Sequence, residues 1–209
     1  MPDVTLETTV REETSLHHIA GLDEAGRGAV AGPVVAAAVI LPLDSPHALA
    51  QLHAVNDSKQ LSSRQRESLF DLIIQHALCW AVGSIAASQI DQMGIIAANA
   101  KAMEQALAQL QPAPPFLLIV GRMRLRNVSL PQQSVVRGDA LSLSIAAASI
   151  LAKVSRDRLM MDLDNHYPQY GFGQHKGYCT ARHVAAIEQY GPCPAIHRFS
   201  FAPIRTPLL

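Results

Sequence analysis

Short apolar segments of strand length alternate along this chain with longer segments in which apolar residues recur at helical spacing. The predicted strands cover residues 18–22, 33–41, 78–83, 116–120 and 133–137. One predicted helix begins at Ser62, where Ser62 and Gln65 form a capping-box pattern. Three further predicted helices cover residues 93–110, 140–165 and 180–190. Strands that alternate with helices are typical of layered domains, so we predict an α/β fold with a sheet flanked by helices.

The length of 209 residues fits one domain. Residues 1–16 are polar and are expected to form a disordered tail. A single domain, including a helical C-terminal part, is then expected over residues 17–209. Because 49% of the residues are hydrophobic and only 16% are charged, the chain has enough apolar surface for a well-packed core.

The cysteine and hydropathy patterns bear on the compartment. Cys79, Cys179 and Cys193 are scattered, which fits reduced thiols in a cytosolic protein better than a disulfide frame or a zinc site. No apolar run approaches the ~20 residues that a membrane span needs. We therefore expect a cytoplasmic protein that does not bind membranes. A monomer is expected because no heptad pattern is left over for self-association.

The net charge is zero, with 17 basic and 17 acidic residues. A nucleic-acid partner would therefore be held by a local basic surface and not by overall charge. Two groups of basic residues could form such a surface: Arg122, Arg124, Arg126 and Arg137, and then Lys176, Arg182, Arg198 and Arg205. The alternative is that each group consists of ordinary solvated loop charges.

The segment Gly21-Leu22-Asp23-Glu24-Ala25-Gly26-Arg27-Gly28 places two adjacent carboxylates at the end of an apolar strand, followed by two glycines around an arginine. Buried carboxylates are costly unless a positive charge lies beside them, and hard divalent cations commonly supply it. Glycines allow backbone N–H groups to approach a phosphate, and arginine binds phosphate oxygens through two nitrogens. The segment thus predicts metal-assisted phosphodiester chemistry, or else only a tight turn with solvated acids.

Three later segments complete a family pattern. They are Asn56-Asp57-Ser58-Lys59, then Arg137-Gly138-Asp139 with the helix containing Ala146-Ala147-Ala148-Ser149-Ile150-Leu151-Ala152-Lys153, and finally His175-Lys176-Gly177-Tyr178. In this order and spacing, from about Gly21 to Arg198, the chain resembles bacterial ribonuclease HII, the type 2 ribonuclease H. The resemblance implies a ribonuclease H-like mixed sheet flanked by helices, with a helical C-terminal extension.

The resemblance also implies an activity and its site residues. Members of the family cut the RNA strand of RNA–DNA hybrids and nick duplex DNA on the 5′ side of an embedded ribonucleotide, with Mg²⁺ or Mn²⁺, leaving a 3′-hydroxyl and a 5′-phosphate. By matching positions, Asp23, Glu24 and Asp139 are the expected catalytic metal ligands. The expected substrate-binding residues are Gly26, Arg27, Gly28, Lys59 and Tyr178. Lys153, Arg156 and Asp157 are expected to form a structural ion-pair cluster.

One metal-binding position departs from the family pattern. The family has an aspartate at the end of the fourth strand, where this chain has Val120. Loss of one carboxylate should weaken metal binding and loosen the geometry for in-line attack. Two interpretations remain open: an endonuclease of reduced rate, and a protein that binds hybrid or junction nucleic acid without cleaving it. An unrelated small-molecule phosphohydrolase would not explain the His-Lys-Gly-Tyr segment.

Overall fold

A five-stranded mixed sheet forms the centre of the protein. The computed structural model describes residues 1–204, so Arg205 and the end of the predicted domain at residue 209 lie outside the described residues. The strands are β1 (Ile19–Ala25), β2 (Val34–Ile40), β3 (Cys79–Ile85), β4 (Phe116–Val120) and β5 (Gln132–Val135). Their order across the sheet is β3-β2-β1-β4-β5, with β1 antiparallel to β2 and parallel to β4. Each predicted strand is present, and the predicted α/β class is confirmed.

Helices cover both faces of this sheet. They are α1 (Thr5–Thr14), α2 (Pro46–Gln51), α3 (Ser63–His76), α4 (Ala87–Met93), α5 (Ile95–Leu107), α6 (Gly138–Leu141), α7 (Leu143–His166), α8 (Phe172–His175) and α9 (Ala181–Tyr190). On one face, α5 packs its buried Met103 against Leu22 and Ile119 of the sheet. On the other face, α3 and α7 pack on β2. The predicted capping box at Ser62 and Gln65 begins α3 as expected. Within residues 1–204, no helix is long and apolar enough to cross a membrane.

Helix α7 lies unusually close to the central strand. Its residues Ala146, Ala147 and Ala148 are fully buried. A Cβ atom on Gly21 would overlap the backbone of Ser144, so only glycine fits on β1 at this point. Small side chains on both elements therefore bring α7 against the strand that carries Asp23 and Glu24.

The N-terminal residues differ from the expected disordered tail, because Thr5–Thr14 form α1 and pack on the domain. The side chain of Glu7 is fully buried. Its Oε1 accepts hydrogen bonds from the Ser142 hydroxyl at 2.7 Å, the Ser144 hydroxyl at 2.6 Å and the Ser144 N–H at 2.9 Å. A carboxylate at the N-terminus of α7 is favoured by its free N–H groups and by the helix dipole, which explains why this polar segment is ordered.

Candidate active site

The two adjacent carboxylates lie at the end of β1, the middle strand of the sheet. Leu22 faces the core on the α5 side, so Asp23 points to the α7 side and Glu24 points back to the α5 side. Asp23 is 5% exposed, and its Oδ1 accepts a hydrogen bond from the Glu24 N–H at 2.7 Å. The Ser149 side chain of α7 also hydrogen bonds to Asp23. Ser149 in turn contacts the hydroxyl of Ser58 at 2.9 Å.

Asp23 forms no salt bridge within residues 1–204. The pKa of Asp23 is raised from 3.8 to about 8, first of all by burial and then by the negative charge of Glu24, with a smaller contribution from Asp139, although hydrogen bonds from Ser149 and from the Glu24 N–H lower it. A carboxyl group in this environment is neutral at neutral pH unless a cation lies beside it. This uncompensated carboxyl group is the observation in the structure that fits a bound divalent cation.

Asp139, in α6, approaches the same region from a part of the chain that is distant in sequence. It follows Arg137, which adopts a left-handed conformation with φ 56°, and Gly138, beside which a Cβ atom would press on Ile145. Asp139 is 7% exposed, and its Oδ2 forms a salt bridge of 3.1 Å with the Lys59 ammonium group. Burial lowers the pKa of Lys59, but the hydrogen bond and charge of Asp139, with Asp57 and Asp23, raise it overall.

Lys59 reaches Asp139 from a short turn, Ser58–Gln60. The turn begins at Asp57, whose carboxylate accepts a hydrogen bond from the Lys59 N–H at 2.9 Å. The Ser58 carbonyl accepts a hydrogen bond from the Arg66 guanidinium at 2.8 Å. The Asn-Asp-Ser-Lys segment thus forms a short turn that brings the Lys59 ammonium group to a carboxylate 80 positions away in the chain.

The structure brings all eight of the predicted site residues to one cavity of about 340 Å³. These residues are Asp23, Glu24, Gly26, Arg27, Gly28, Lys59, Asp139 and Tyr178. The cavity is also lined by Ser58, Ser149, Arg137 and Lys153, which were not predicted as site residues. Ser58 and Ser149 stand within the family segments, and that position was the available signal for them.

The side chains of Asp23, Glu24 and Asp139 are not arranged to bind one metal ion together in the part of the chain that the structure describes. Within residues 1–204, no group of three or more His, Cys, Asp or Glu side chains is arranged to hold a metal ion. Asp23 and Glu24 point to opposite faces of the sheet, and Lys59 neutralises Asp139. The residues therefore fit a divalent cation with an incomplete set of protein ligands, which water and substrate oxygens complete in many Mg²⁺ sites.

Val120 stands beside Asp23 at the end of the neighbouring strand. The register pairs Leu22 of β1 with Ile119 of β4. Because the two strands are parallel, the residues that follow, Asp23 and Val120, lie next to each other. Val120 lines the cavity and supplies no ligand. Glu104 does not replace it, because its carboxylate accepts a hydrogen bond from Asn127 at 3.1 Å and lines a neighbouring cavity of about 1150 Å³.

The glycine-rich turn and the tyrosine turn lie against each other. Gly26 has φ 83°, and Arg27 is exposed with its guanidinium 3.6 Å from Glu24. The Val30 and Ala31 N–H groups both donate hydrogen bonds to the Gly177 carbonyl, at 2.9 and 3.2 Å. Tyr178 follows directly and is 38% exposed. An arginine and an aromatic ring are thus presented to solvent from two joined turns.

Two predictions about basic residues are corrected. Lys153 and Asp157 form an ion pair of 2.7 Å, but Arg156 is fully buried and forms no salt bridge within residues 1–204. Arg198 is also fully buried and is not part of a basic surface. The Arg156 guanidinium donates instead to the backbone carbonyls of Ala31, Pro33 and Lys176, and proximity in the sequence does not show which acceptors a side chain takes. Arg122, Arg124, Arg126 and Arg137 are exposed, as expected.

Comparison with known proteins identifies the family. A sequence model of the family described as Ribonuclease HII matches residues 20–204. The chain belongs to the ribonuclease HII family. It is 54% identical over 187 residues to a ribonuclease HII of Geotalea uraniireducens, covering 90% of this chain and 83% of the relative. It is 51% identical over 183 residues to a ribonuclease HII of Acetivibrio thermocellus, covering 88% and 69%.

Solved structures share the fold. The ribonuclease H2 of Pyrococcus horikoshii OT3 matches with a TM-score of 0.76 and 28% identity, covering 90% of this chain and 95% of that one. Bst-RNase HIII, solved in complex with Mn²⁺, matches with a TM-score of 0.68 at 18% identity, covering 90% and 68%. The predicted ribonuclease H-like sheet with a helical C-terminal region is confirmed. As a ribonuclease HII, the protein is a hydrolase of the ribonuclease H type that acts on RNA–DNA hybrids, in a family that depends on divalent metals.

Proposed function

We propose that this ribonuclease HII cleaves the RNA strand of RNA–DNA hybrids and also nicks duplex DNA on the 5′ side of a single embedded ribonucleotide, leaving a 3′-hydroxyl and a 5′-phosphate. The observation that carries the proposal is the cavity in which the uncompensated carboxyl group of Asp23 lies with Asp139, Arg27 and Tyr178. One small space thus combines metal-binding, phosphate-binding and sugar-stacking groups.

Asp23, Glu24 and Asp139 would hold the divalent cations, Mn²⁺ or Mg²⁺. When bound, such cations supply the Lewis-acid chemistry of two-metal-type hydrolysis, activating water and balancing charge on the departing 3′-oxygen. The residues of this chain hold and orient the substrate. Glu24 contributes its side chain or its backbone carbonyl, because its side chain leaves β1 on the face opposite to Asp23. The ammonium group of Lys59 balances phosphate charge close to Asp139.

Recognition of the ribonucleotide is assigned to the two joined turns. The backbone of Gly26 and Gly28 approaches the sugar–phosphate, and the Arg27 guanidinium binds phosphate oxygens. Tyr178 stacks on the sugar at the junction and senses the 2′-hydroxyl, the group that distinguishes RNA from DNA. The larger neighbouring cavity is lined by Arg122, Arg124 and Arg126, which would bind phosphates along the duplex. A monomer in the cytoplasm remains the expected state.

Val120 supports one alternative function. With a valine beside Asp23 and with Lys59 already bound to Asp139, the site is poorer in negative charge than the family pattern. In this alternative, the protein binds ribonucleotide-containing duplex and does not cleave it. This alternative predicts that the protein binds a duplex with a ribonucleotide more tightly than an all-DNA duplex and releases no cleavage product.

A single-turnover nicking assay separates these functions. The substrate is a labelled duplex with one ribonucleotide, and the proteins are the parent, Val120→Asp, Asp23→Asn and Val136→Asp. Val136 is 54% exposed, so its substitution controls for added charge outside the cavity. We expect slow nicking by the parent in Mn²⁺, a rate about tenfold or more higher for Val120→Asp, and none for Asp23→Asn. If only Val120→Asp cleaves the substrate, the result supports the binding function for the parent. If none of the proteins cleaves the substrate and none binds it in preference to all-DNA duplex, both functions are contradicted.

A further inference from the structure

Two arginines are fully buried and have no salt-bridged carboxylate partner in the part of the chain that the structure describes. Arg156 on α7 and Arg198 near the end of the described chain are both 0% exposed. Within residues 1–204, neither forms a salt bridge. A buried charge without a counterion is costly unless its N–H groups are well satisfied by other acceptors. Their acceptors therefore indicate what these two residues do.

Arg156 joins the two turns that surround the site. Its Nε donates to the Pro33 carbonyl at 2.9 Å and its Nη2 to the Ala31 carbonyl at 3.1 Å, both just beyond the glycine-rich turn. Its Nη1 donates to the Lys176 carbonyl at 2.8 Å, on the tyrosine turn. The guanidinium carbon lies 5.5 Å from the centre of the Tyr178 ring. The Arg156 side chain thus binds both turns and lies over the Tyr178 ring.

Arg156 also explains the glycine at position 26. A Cβ atom there would overlap the Arg156 guanidinium, and the positive φ of Gly26 is disfavoured for other residues. The backbone of the Gly-Arg-Gly segment therefore rests directly on this buried side chain.

Arg198 holds the same turn from the other side. Its Nε donates to the Gly32 carbonyl at 3.0 Å and its Nη1 to the Arg27 carbonyl at 3.1 Å. Its backbone N–H donates to the Val30 carbonyl at 2.9 Å. Burial, followed by repulsion from Arg156, lowers the pKa of Arg198 to about 9, so the group is still charged at neutral pH.

These contacts orient the backbone of the turn. The two guanidinium groups bind carbonyls of Arg27, Ala31, Gly32 and Pro33 on the buried side. Within residues 1–204, the N–H groups of Arg27 and Gly28 have no protein acceptor. A turn whose carbonyls are held inward by cations and whose N–H groups remain free is suited to bind an anion.

We propose that Arg156 and Arg198 are positioning residues for ribonucleotide recognition: together they fix the 26–33 turn and the Tyr178 ring in one relative arrangement, so that the phosphate and the adjacent sugar are read as a unit. This proposal rests on the proposed function of the two turns. Neither arginine touches the substrate. Their loss should therefore reduce discrimination between RNA and DNA more than it reduces general affinity for duplex.

The test compares Arg156→Lys and Arg198→Lys with Arg158→Lys. Lysine keeps the charge but cannot bind several carbonyls in a fixed plane. Arg158 lies on the same helix, is exposed and pairs with Glu67, so it is a matched control. Thermal unfolding first establishes that each variant folds. If Arg156→Lys does not fold, the same measurements are made on Arg198→Lys, which tests the positioning of the 26–33 turn.

The first readout is the ratio of affinities for a duplex with one ribonucleotide and for the same all-DNA duplex, measured without divalent metal. Because the turn and the ring would no longer be held in one arrangement, we expect the ratio to fall about tenfold or more in both variants, which corresponds to about 1.4 kcal/mol or more. All-DNA affinity should change less than about twofold. An unchanged ratio in the folded variants, or an equal loss for both duplexes, would overturn the proposal.

The second readout does not depend on the proposed function. The chain has four tyrosines, so fluorotyrosine labelling gives four ¹⁹F resonances, and Tyr178→Phe identifies one of them. We expect Arg156→Lys to shift and broaden the Tyr178 resonance, and Arg158→Lys to leave it unchanged. If the parent shows no ribonucleotide preference, the proposed function fails, and this resonance still tests separately whether Arg156 positions the Tyr178 ring. An unaltered Tyr178 line in folded Arg156→Lys would refute it.

Discussion

The ammonium nitrogen of Lys59 lies 3.1 Å from Oδ2 of Asp139, and both side chains line the cavity that contains Asp23. The two residues are 80 positions apart in the chain. The Lys59 amine therefore forms a salt bridge with one carboxylate of the site, whereas the carboxyl group of Asp23 has no salt-bridge partner among the described residues, and its pKa is raised. This unequal distribution of charge leads to the first two predictions.

Removal of Lys59 should strengthen binding of a divalent cation. In Lys59→Ala, Asp139 loses its ammonium partner and becomes available as a ligand, so Mn²⁺ should bind several-fold more tightly in the absence of nucleic acid. Mn²⁺ titration followed by electron paramagnetic resonance measures this. Lys101→Ala, which removes a lysine from the neighbouring cavity, is the control. Unchanged or weaker Mn²⁺ binding by Lys59→Ala would show that the salt bridge does not compete with the cation.

Asp23 should make the metal-free protein less stable as pH rises. Its pKa is raised from 3.8 to about 8 in the folded state, first of all by burial. Between these values the folded state binds more protons than the unfolded state, so the free energy of unfolding falls with rising pH. The loss should be on the order of a few kcal/mol by pH 8, and a bound cation should reduce it.

Urea unfolding at several pH values, with EDTA or with Mg²⁺, checks this prediction. Asp23→Asn should remove the pH-dependent loss, whereas Asp71→Asn, on the exposed face of α3, should retain it. A metal-free parent whose stability is constant between pH 5 and pH 8, relative to Asp23→Asn, would contradict the assignment of an uncompensated carboxyl group.

Acid should destabilise the C-terminal region through two buried histidines. Nε2 of His183 lies 3.1 Å from Nε2 of His197, and Nδ1 of His183 lies 3.0 Å from the Tyr178 carbonyl. Burial lowers the pKa of each histidine from 6.5 to about 4. In this window the unfolded state binds more protons, so stability is present above about pH 6.5 and is lost as pH falls toward 4.

Hydrogen exchange at pH 7 and at pH 5 locates this effect. After correction for intrinsic rates, residues 170–198 should lose protection at the lower pH before β1 and β2 do. His183→Gln should weaken the pH dependence, and His53→Gln, at an exposed position, should not. Equal loss of protection throughout the chain would argue against a local origin in these histidines.

The N-terminal helix should contribute measurably to stability through Glu7. Its carboxylate accepts hydrogen bonds from Ser142 and Ser144 at the beginning of α7. Glu7→Gln removes the charge from these buried bonds and should lower the free energy of unfolding by about 1–3 kcal/mol. Glu12→Gln, on the exposed face of α1, is the matched control and should change it little. Equal thermal unfolding midpoints for both variants would refute this role.

Much of the sheet follows from local sequence patterns. The apolar residues of β2 and β4 and the capping box of α3 act over a few residues, so their effects are visible in the linear sequence. The boundary at Gly94 was harder to predict. The segment predicted as one helix over 93–110 begins inside α4 and continues as α5, because Gly94 adopts φ 80°. A single glycine does not by itself indicate whether a helix stops or continues.

The side chains of the candidate site were predictable because the family segments mark them, and the structure brings them to one cavity. Their charge states were not predictable. Whether Asp23 is compensated depends on which face of β1 it occupies and on how Lys59 reaches Asp139. Both depend on burial and on distances between atoms, which cannot be obtained from the positions of residues along the chain.

The sequence alone determined the order of the five strands and the family, and it predicted the site residues, because local periodicity and short motifs encode them. Only the tertiary structure decided that Glu7 anchors an N-terminal helix, that Arg156 and Arg198 bind carbonyls around the glycine-rich turn, and that Lys59 pairs with Asp139. Each of these contacts joins residues that are far apart in the chain. Their energies depend on desolvation and on distances of a few ångströms, which exist only once the chain is packed.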